Sequence, residues 1–207
     1  MYISALLAQQ LGKSVLLGVG DTISKLTSPY DRSTRCIFGD AASATLLSPS
    51  DNGEMIFQFS SYGDRSEIIT MENSGFRIVD DPKNDGYFYM AGADVMKFTI
   101  VEVVEQIRTF LLNTGISKDN ISLFAFHQAN RLIVSSLANS LGIQRDKAPF
   151  TAKDIGNASS VSIPLLLSSL ENADLSNVLC AGFGVGLSVG VCKTDFSATQ
   201  FCGIAEL

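Results

Sequence analysis

His127 is the only histidine in the chain, and it lies in Phe126-His-Gln-Ala-Asn130, where the apolar run Ile121-Ser-Leu-Phe-Ala-Phe126 gives way to a helix-like stretch. Thirty residues on, Asp154-Ile-Gly-Asn157-Ala-Ser-Ser separates another strand-like run from another helix. A neutral imidazole donates one hydrogen bond from one ring nitrogen, and an Asn amide donates through its NH2 group. Two such donors, each at the carboxyl end of a buried strand, are placed to converge on one ligand oxygen. Preorganised donors of this kind stabilise negative charge that develops on that oxygen.

Each residue also has a plainer reading. A lone histidine is ordinarily structural, but here the preceding strand is apolar except for Ser122, and polar Gln128 and Asn130 follow. The imidazole would therefore emerge at a strand end. Asn157 before a helix is equally a helix cap; Ser159 or Ser160 could serve instead, and both readings stand. Gly182-Phe-Gly-Val-Gly186 is either a tight hairpin, which glycine permits through positive φ, or a loop presenting backbone N–H groups to a ligand oxygen. Its spacing excludes a dinucleotide or P-loop pattern, because no helix follows.

The elements that must position these residues follow from periodicity. Ile3, Leu6, Leu7 and Leu11 form a helical stripe that Gly12 ends, and Ser14 to Gly20 reads as a buried strand. A polar loop over 21–35 leads to Phe38 to Leu47, a strand of small residues expected to pack closely against other backbone. Pro49 to Gly53 is turn-rich and divides 1–50 from 51–207. Glu54 to Ser60 alternates as a strand, and 61–89 reads as an elaborated loop of the kind that carries function. Helical spacing runs from Asp94 to Leu112, and strand 121–126 follows it. Helix 129–141 comes next, with Leu132, Ile133, Leu137 and Leu141 inward. An extended piece reaches Asp154, a helix runs from about Ser160 to Leu170, and two closing strands flank Gly182 to Gly186. The alternation predicts an α/β layered fold with much of its sheet parallel and ligands at the carboxyl ends of strands.

Composition narrows the classes. The net charge is −6 and the basic residues are scattered, with only Arg131 and Lys147 near the suspected site, which argues against nucleic acid as a partner. No run approaches the roughly 18 apolar residues that cross a bilayer, and Met1 to Leu11, without basic residues or a small-residue cleavage site, is not expected to be a signal peptide. Cys36, Cys180, Cys192 and Cys202 show no CxxC spacing, and one histidine does not complete a zinc set with them, so no metal is expected. Cys36, Cys180 and Cys192 lie in apolar segments and read as reduced core thiols of a cytoplasmic protein.

Taken in order, His-Gln-Ala-Asn after a strand, Gly156-Asn-Ala-Ser-Ser-Val-Ser-Ile-Pro164, and the glycine-rich turn near the C-terminus resemble the thiolase-like condensing enzymes. The match is to the 3-oxoacyl-(acyl-carrier-protein) synthase III family. Ile37-Phe-Gly-Asp-Ala-Ala-Ser-Ala44, and Met90-Ala-Gly92 before a long helix, fit the same pattern. The resemblance implies a layered α-β-α-β-α fold in the full family, with 1–50 as the end of the first half and 51–207 as the second. It implies decarboxylative condensation of acyl-CoA with malonyl-ACP in fatty acid biosynthesis, without a cofactor, by a homodimer. His127 and Asn157 would donate to the malonyl thioester oxygen as the enolate forms. Gly184, Val185 and Gly186 would supply an oxyanion-loop N–H, with Val185 at a commonly glycine position where the backbone donor survives. Asn130, Arg131 and Gly92 would serve CoA and its pantetheine arm.

The family's working set also includes a nucleophilic cysteine at a helix start, where the macrodipole lowers a thiol pKa. The helix after that cysteine resembles Met1 to Gly12, so the chain is expected to begin just beyond it. None of the four cysteines present matches the nucleophile's position. Two alternatives stay open. One is a relative serving polyketide, lipid or surface-polysaccharide assembly, with acceptor choice in 61–89. The other is a non-catalytic fragment or subunit that needs a partner chain.

Overall fold

The computed structural model describes residues 1–51, 53–71, 73, 86–170 and 172–206. Helix α1 (Tyr2–Leu11) ends at Gly12, whose left-handed φ of 60° glycine adopts without a Cβ penalty. Strand β1 (Val15–Asp21) pairs antiparallel with β2 (Ala41–Leu47), and β3 (Met55–Ser61) follows. A 3-10 turn over Gly63–Ile68 and the short pair β4 (Ile69–Thr70) and β5 (Tyr89–Met90) occupy part of the predicted loop. Residues 72 and 74–85 of that loop lie outside the described residues.

Helix α2 (Gly92–Phe98) continues through a π-helical turn, Thr99–Val103, into α3 (Val104–Thr114), so the predicted helix is present with one wider turn inside it. Strand β6 (Leu123–Phe126), α4 (Arg131–Leu141), α5 (Ser162–Ser169), β7 (Val178–Gly184) and β8 (Ser188–Thr194) complete the chain. Among the described residues, no helix is long and apolar enough to cross a membrane.

The main sheet runs β3-β8-β7-β6. Only β6 and β7 are parallel; β7–β8 and β8–β3 are antiparallel. The expectation of a largely parallel sheet is corrected here. A parallel pair needs a long crossover, which α4 and α5 supply between β6 and β7, whereas β7 returns to β8 through a tight turn. Phe124 and Phe126 join Phe98, Ile107, Phe110, Ile133 and Leu137 on the face covered by α2, α3 and α4. Leu123, Ala125, Val178 and Cys180 meet Leu166 and Leu167 of α5 on the other. Every residue of β6 is therefore buried, as a strand sandwiched between helices must be.

Three other expectations fail locally. Leu132 was expected inward but is 67% exposed, while Ile133, Leu137 and Leu141 are buried; the helix turns Leu132 to solvent. Strand β1 is not buried, because among the described residues no helix covers one face of the β1–β2 pair and exposure alternates along both strands. The small residues of β2 thus leave one face open. The close backbone approach occurs just before the strand, at Gly39.

Candidate active site

His127 follows the last residue of β6. Its backbone N–H donates to the Ala181 carbonyl at 2.8 Å, carrying the parallel β6–β7 register one step further and fixing the point where the ring leaves the sheet. Nδ1 lies 2.6 Å from Ser162 Oγ, and the ring meets Phe183 edge-on with centroids 5.3 Å apart. The ring keeps partial solvent access, yet burial disfavours its charged form and lowers the pKa from 6.5 to about 4. At neutral pH the imidazole is uncharged. Nε2 has no hydrogen-bond partner among the described residues.

Asn157 is not at a strand end, which corrects that expectation; it forms an isolated parallel bridge with Phe38. Its N–H donates to Ile37 O at 2.8 Å and its carbonyl accepts from Gly39 N at 3.1 Å. Two glycines make this approach possible. A Cβ on Gly39 would lie 1.8 Å from Ile155 O, and one on Gly156, at φ +81°, would lie 2.9 Å from Ile37 O. The Asn157 side chain accepts from Ser159 N at 2.9 Å through Oδ1. The local turn thus uses the oxygen and leaves the NH2 group without a partner among the described residues. Asn157 does not cap a helix, since neither the 3-10 turn Ser159–Val161 nor α5 has a side-chain cap, and its oxygen instead closes a local turn two residues on.

The segment is tied to the first part of the chain as well. Asp21, the last residue of β1, accepts from Ser160 N at 3.1 Å and from Ser160 Oγ. Burial pushes the Asp21 carboxyl up, but the hydrogen bonds from Ser160 and Ser159 outweigh it and hold the pKa below its ordinary value. The same segment then delivers Ser162 to His127. His127 and Asn157 are thereby linked through one short stretch, 157–162, held at both ends.

The β7–β8 hairpin carries Gly184, Val185 and Gly186. Gly186 has φ +119°, so the tight-turn reading holds at this position, and Val185 is 66% exposed. Leu187 is fully buried and its carbonyl accepts from Tyr62 N at 2.7 Å, anchoring the turn to the end of β3. Phe183, which touches His127, lines a groove of about 540 Å³ with Phe59, Ser61, Gly184, Val185 and Ser188. The hairpin and His127 are therefore neighbours.

Asn130 and Arg131 lie at the start of α4. Asn130 caps it, with Oδ1 accepting from Ile133 N at 2.8 Å. Arg131 is exposed, and its guanidinium stacks over the Phe150 ring at 5.1 Å. Gly92 begins α2, a different element, and no described contact joins it to these residues. Sequence reasoning missed two residues. Ser162 partners His127, and buried Gln128 binds Phe126 O and Pro149 O through Nε2 while accepting from Thr151 N at 3.0 Å. Gln128 thus holds the loop that carries Phe150. The signal for Ser162 was its place inside Gly156-Asn-Ala-Ser-Ser-Val-Ser-Ile-Pro164, a stretch that carries the family resemblance but gives that serine no role of its own.

The four cysteines divide into a buried pair and two exposed thiols. Cys180 and Cys192 face each other across β7 and β8 and are buried. Burial pushes the Cys180 thiol far above its ordinary pKa and the Cys192 thiol up to about 12. Cys36 is exposed, not a core thiol as expected, because its segment runs over the surface; its thiol donates to Arg32 O at 3.1 Å. Cys202 is exposed near the C-terminus.

Two family models match the chain: 3-oxoacyl-(acyl-carrier-protein (ACP)) synthase III over residues 2–64, and its C-terminal counterpart over 111–194. A beta-ketoacyl-(acyl-carrier-protein) synthase III of Streptococcus pneumoniae is 33% identical over 187 residues, covering 86% of this chain and 57% of that protein. The crystal structure of a 3-oxoacyl-(acyl-carrier-protein) synthase from Burkholderia xenovorans superposes with a TM-score of 0.86 at 30% identity, covering 94% of this chain and 59% of that one. A priming beta-ketosynthase from a polyketide pathway gives a TM-score of 0.82 at 28% identity over 93% of this chain and 60% of its own. The chain spans under two thirds of the length of these relatives. The fold is thiolase-like, and with both family models aligned in order along it, the chain belongs to the 3-oxoacyl-(acyl-carrier-protein) synthase III family.

Proposed function

We propose that this chain supplies the enolate-stabilising half of a decarboxylative condensing site. In this reading, malonyl-ACP loses CO2 while His127 and Asn157 donate hydrogen bonds to its thioester oxygen, and the resulting carbanion equivalent attacks the carbonyl of an acyl thioester derived from acyl-CoA, forming the C–C bond as the C–S bond breaks and the thiolate leaves. The observation that carries it is the state of the two donors. In each side chain one heteroatom is tied to a serine, His127 Nδ1 to the Ser162 hydroxyl and Asn157 Oδ1 to the Ser159 backbone N–H, while His127 Nε2 and Asn157 Nδ2 have no partner among the described residues. Both groups are neutral donors, suited to charge that appears only as the reaction proceeds. The hairpin over Gly184, Val185 and Gly186 would serve the second oxyanion. Asn130, Arg131 and Gly92 would serve CoA. Residues 1–50 are read as the end of the first half of the family fold and 51–207 as the second, working in a cytoplasmic homodimer.

The cysteines present do not provide the acyl-accepting thiol in this reading, since two are buried with raised pKa values and neither exposed one lies on a helix. The expected activity of the chain on its own is therefore slow decarboxylation of malonyl-CoA or malonyl-ACP without condensation. Released CO2 is the readout. His127→Ala and Asn157→Ala should each lower the rate by about 10²–10³-fold, the usual cost of losing one oxyanion donor. An unchanged rate in either variant overturns the assignment. Incubation with radiolabelled acyl-CoA should leave every cysteine unlabelled, and stable label on any of the four overturns the statement about the nucleophile. A second reading, priming of a polyketide pathway in place of fatty acid synthesis, is favoured by the likeness to the polyketide priming ketosynthase. Preference among acyl-CoA chains, assayed once the acyl-accepting thiol is provided, separates the two.

A further inference from the structure

We infer that Ser162 is a positioning residue that fixes the tautomer of His127, placing the ring proton on Nε2. Ser162 is 3% exposed, and its hydroxyl has two described partners, His127 Nδ1 at 2.6 Å and the Gln128 backbone N–H at 3.4 Å. A serine hydroxyl holds one donor proton and accepts at two lone pairs. The Gln128 N–H can only donate, so Oγ accepts from it. If Nδ1 also carried a proton, Oγ would accept twice and its own O–H would have no acceptor inside a buried site. A buried donor left unpaired in this way is disfavoured. The opposite arrangement satisfies all three groups: Gln128 N–H donates to Oγ, Oγ–H donates to Nδ1, and Nδ1 accepts. The neutral ring then bears its single proton on Nε2, the nitrogen with no described partner. The backbone contributes to the same arrangement, because His127 N–H is held by Ala181 O, and the T-shaped contact with Phe183 restrains the ring plane. The tautomer assignment is independent of the function; its catalytic meaning rests on the reading of His127 as an oxyanion donor.

The chain has one histidine, so ring-¹⁵N-histidine labelling of the full chain gives a single imidazole spin system free of overlap. At pH 7 the wild-type two-bond ¹H–¹⁵N correlation should show Nδ1 as the unprotonated, pyridine-like nitrogen and Nε2 as the protonated one. Ser162→Ala should move both nitrogens toward the averaged values of two exchanging tautomers, and Ser162→Thr should restore the wild-type pattern. Ser162→Cys, which keeps the volume and weakens the donor, is the second variant should Ser162→Ala fail to fold, and it should show the same movement to a smaller extent. A protonated Nδ1 in the wild type overturns the inference, as does an unchanged pattern in Ser162→Ala or Ser162→Cys. Decarboxylation should fall at least about tenfold in Ser162→Ala through kcat, as expected when a catalytic imidazole loses its fixed tautomer. A correct tautomer pattern with no measurable decarboxylation would sink the proposed function and leave the role of Ser162 standing.

Discussion

His127 carries its proton economy into the stability of the whole fold. Burial lowers its pKa to about 4 in the folded chain, against an ordinary value near 6.5. Below pH 6.5 the unfolded chain binds a proton that the folded chain refuses until about pH 4. Folding stability from this group is thus intact above pH 6.5 and lost as the pH falls from 6.5 toward 4, by roughly 3 kcal/mol in all. Urea denaturation at a series of pH values should show wild-type stability falling more steeply across this window than that of His127→Gln. Parallel curves would contradict a buried neutral imidazole. Carboxylates with depressed pKa values, such as Asp31 and Asp174, are present in both proteins and cancel in the comparison.

At the scale of elements, the approach of 37–39 to 155–157 positions Asn157, and it depends on two glycines. Gly39→Ala would drive a Cβ to 1.8 Å from a backbone oxygen, so one segment must move. Overpacking of this kind costs about 1–3 kcal/mol, occasionally more. Gly156→Ala adds the penalty of a left-handed φ of +81° for a residue with a Cβ. Both variants should melt at lower temperature by calorimetry, and both should lose decarboxylation beyond the fraction that unfolds, because Asn157 shifts with its bridge. Retention of full activity per folded molecule would show that Asn157 does not need this seam. Legibility at this scale was uneven. The helices and strands 92–194 follow their hydrophobic periodicity, since each buries a continuous face. The strand before Asn157 was a misreading, because a single backbone bridge leaves the same local pattern as a strand end.

The whole molecule presents apolar surface where the β1–β2 pair lies. Leu16 and Leu46 are direct cross-strand partners and are 68% and 65% exposed, and on α1 Ile3 and Leu11 are 68% and 62% exposed. Neither outer edge of the pair has a strand partner among the described residues. Open strand edges beside exposed apolar side chains favour association. Leu16→Glu with Leu46→Glu should therefore reduce self-association, read as a smaller weight-average mass in sedimentation velocity, while leaving the thermal midpoint nearly unchanged because both side chains are already largely in water. A wild-type protein that sediments as a clean monomer would contradict the reading of this face. The main sheet is shielded differently, with helices on both faces.

The sequence by itself determined the α/β layering, the motif order that carries the family resemblance, and the placement of His127 at the end of a buried strand. These depend on local periodicity and on residue types at short spacing, which a linear chain displays directly. Only the tertiary structure decided that Ser162 meets His127 across 35 residues, that Gly39 and Gly156 hold Asn157 from a loop, and that one face of β1 is open. Those outcomes depend on which distant segments meet. The pattern of a segment states which face is apolar, but the contact that covers it, or leaves it bare, is chosen by the packing of the rest of the chain.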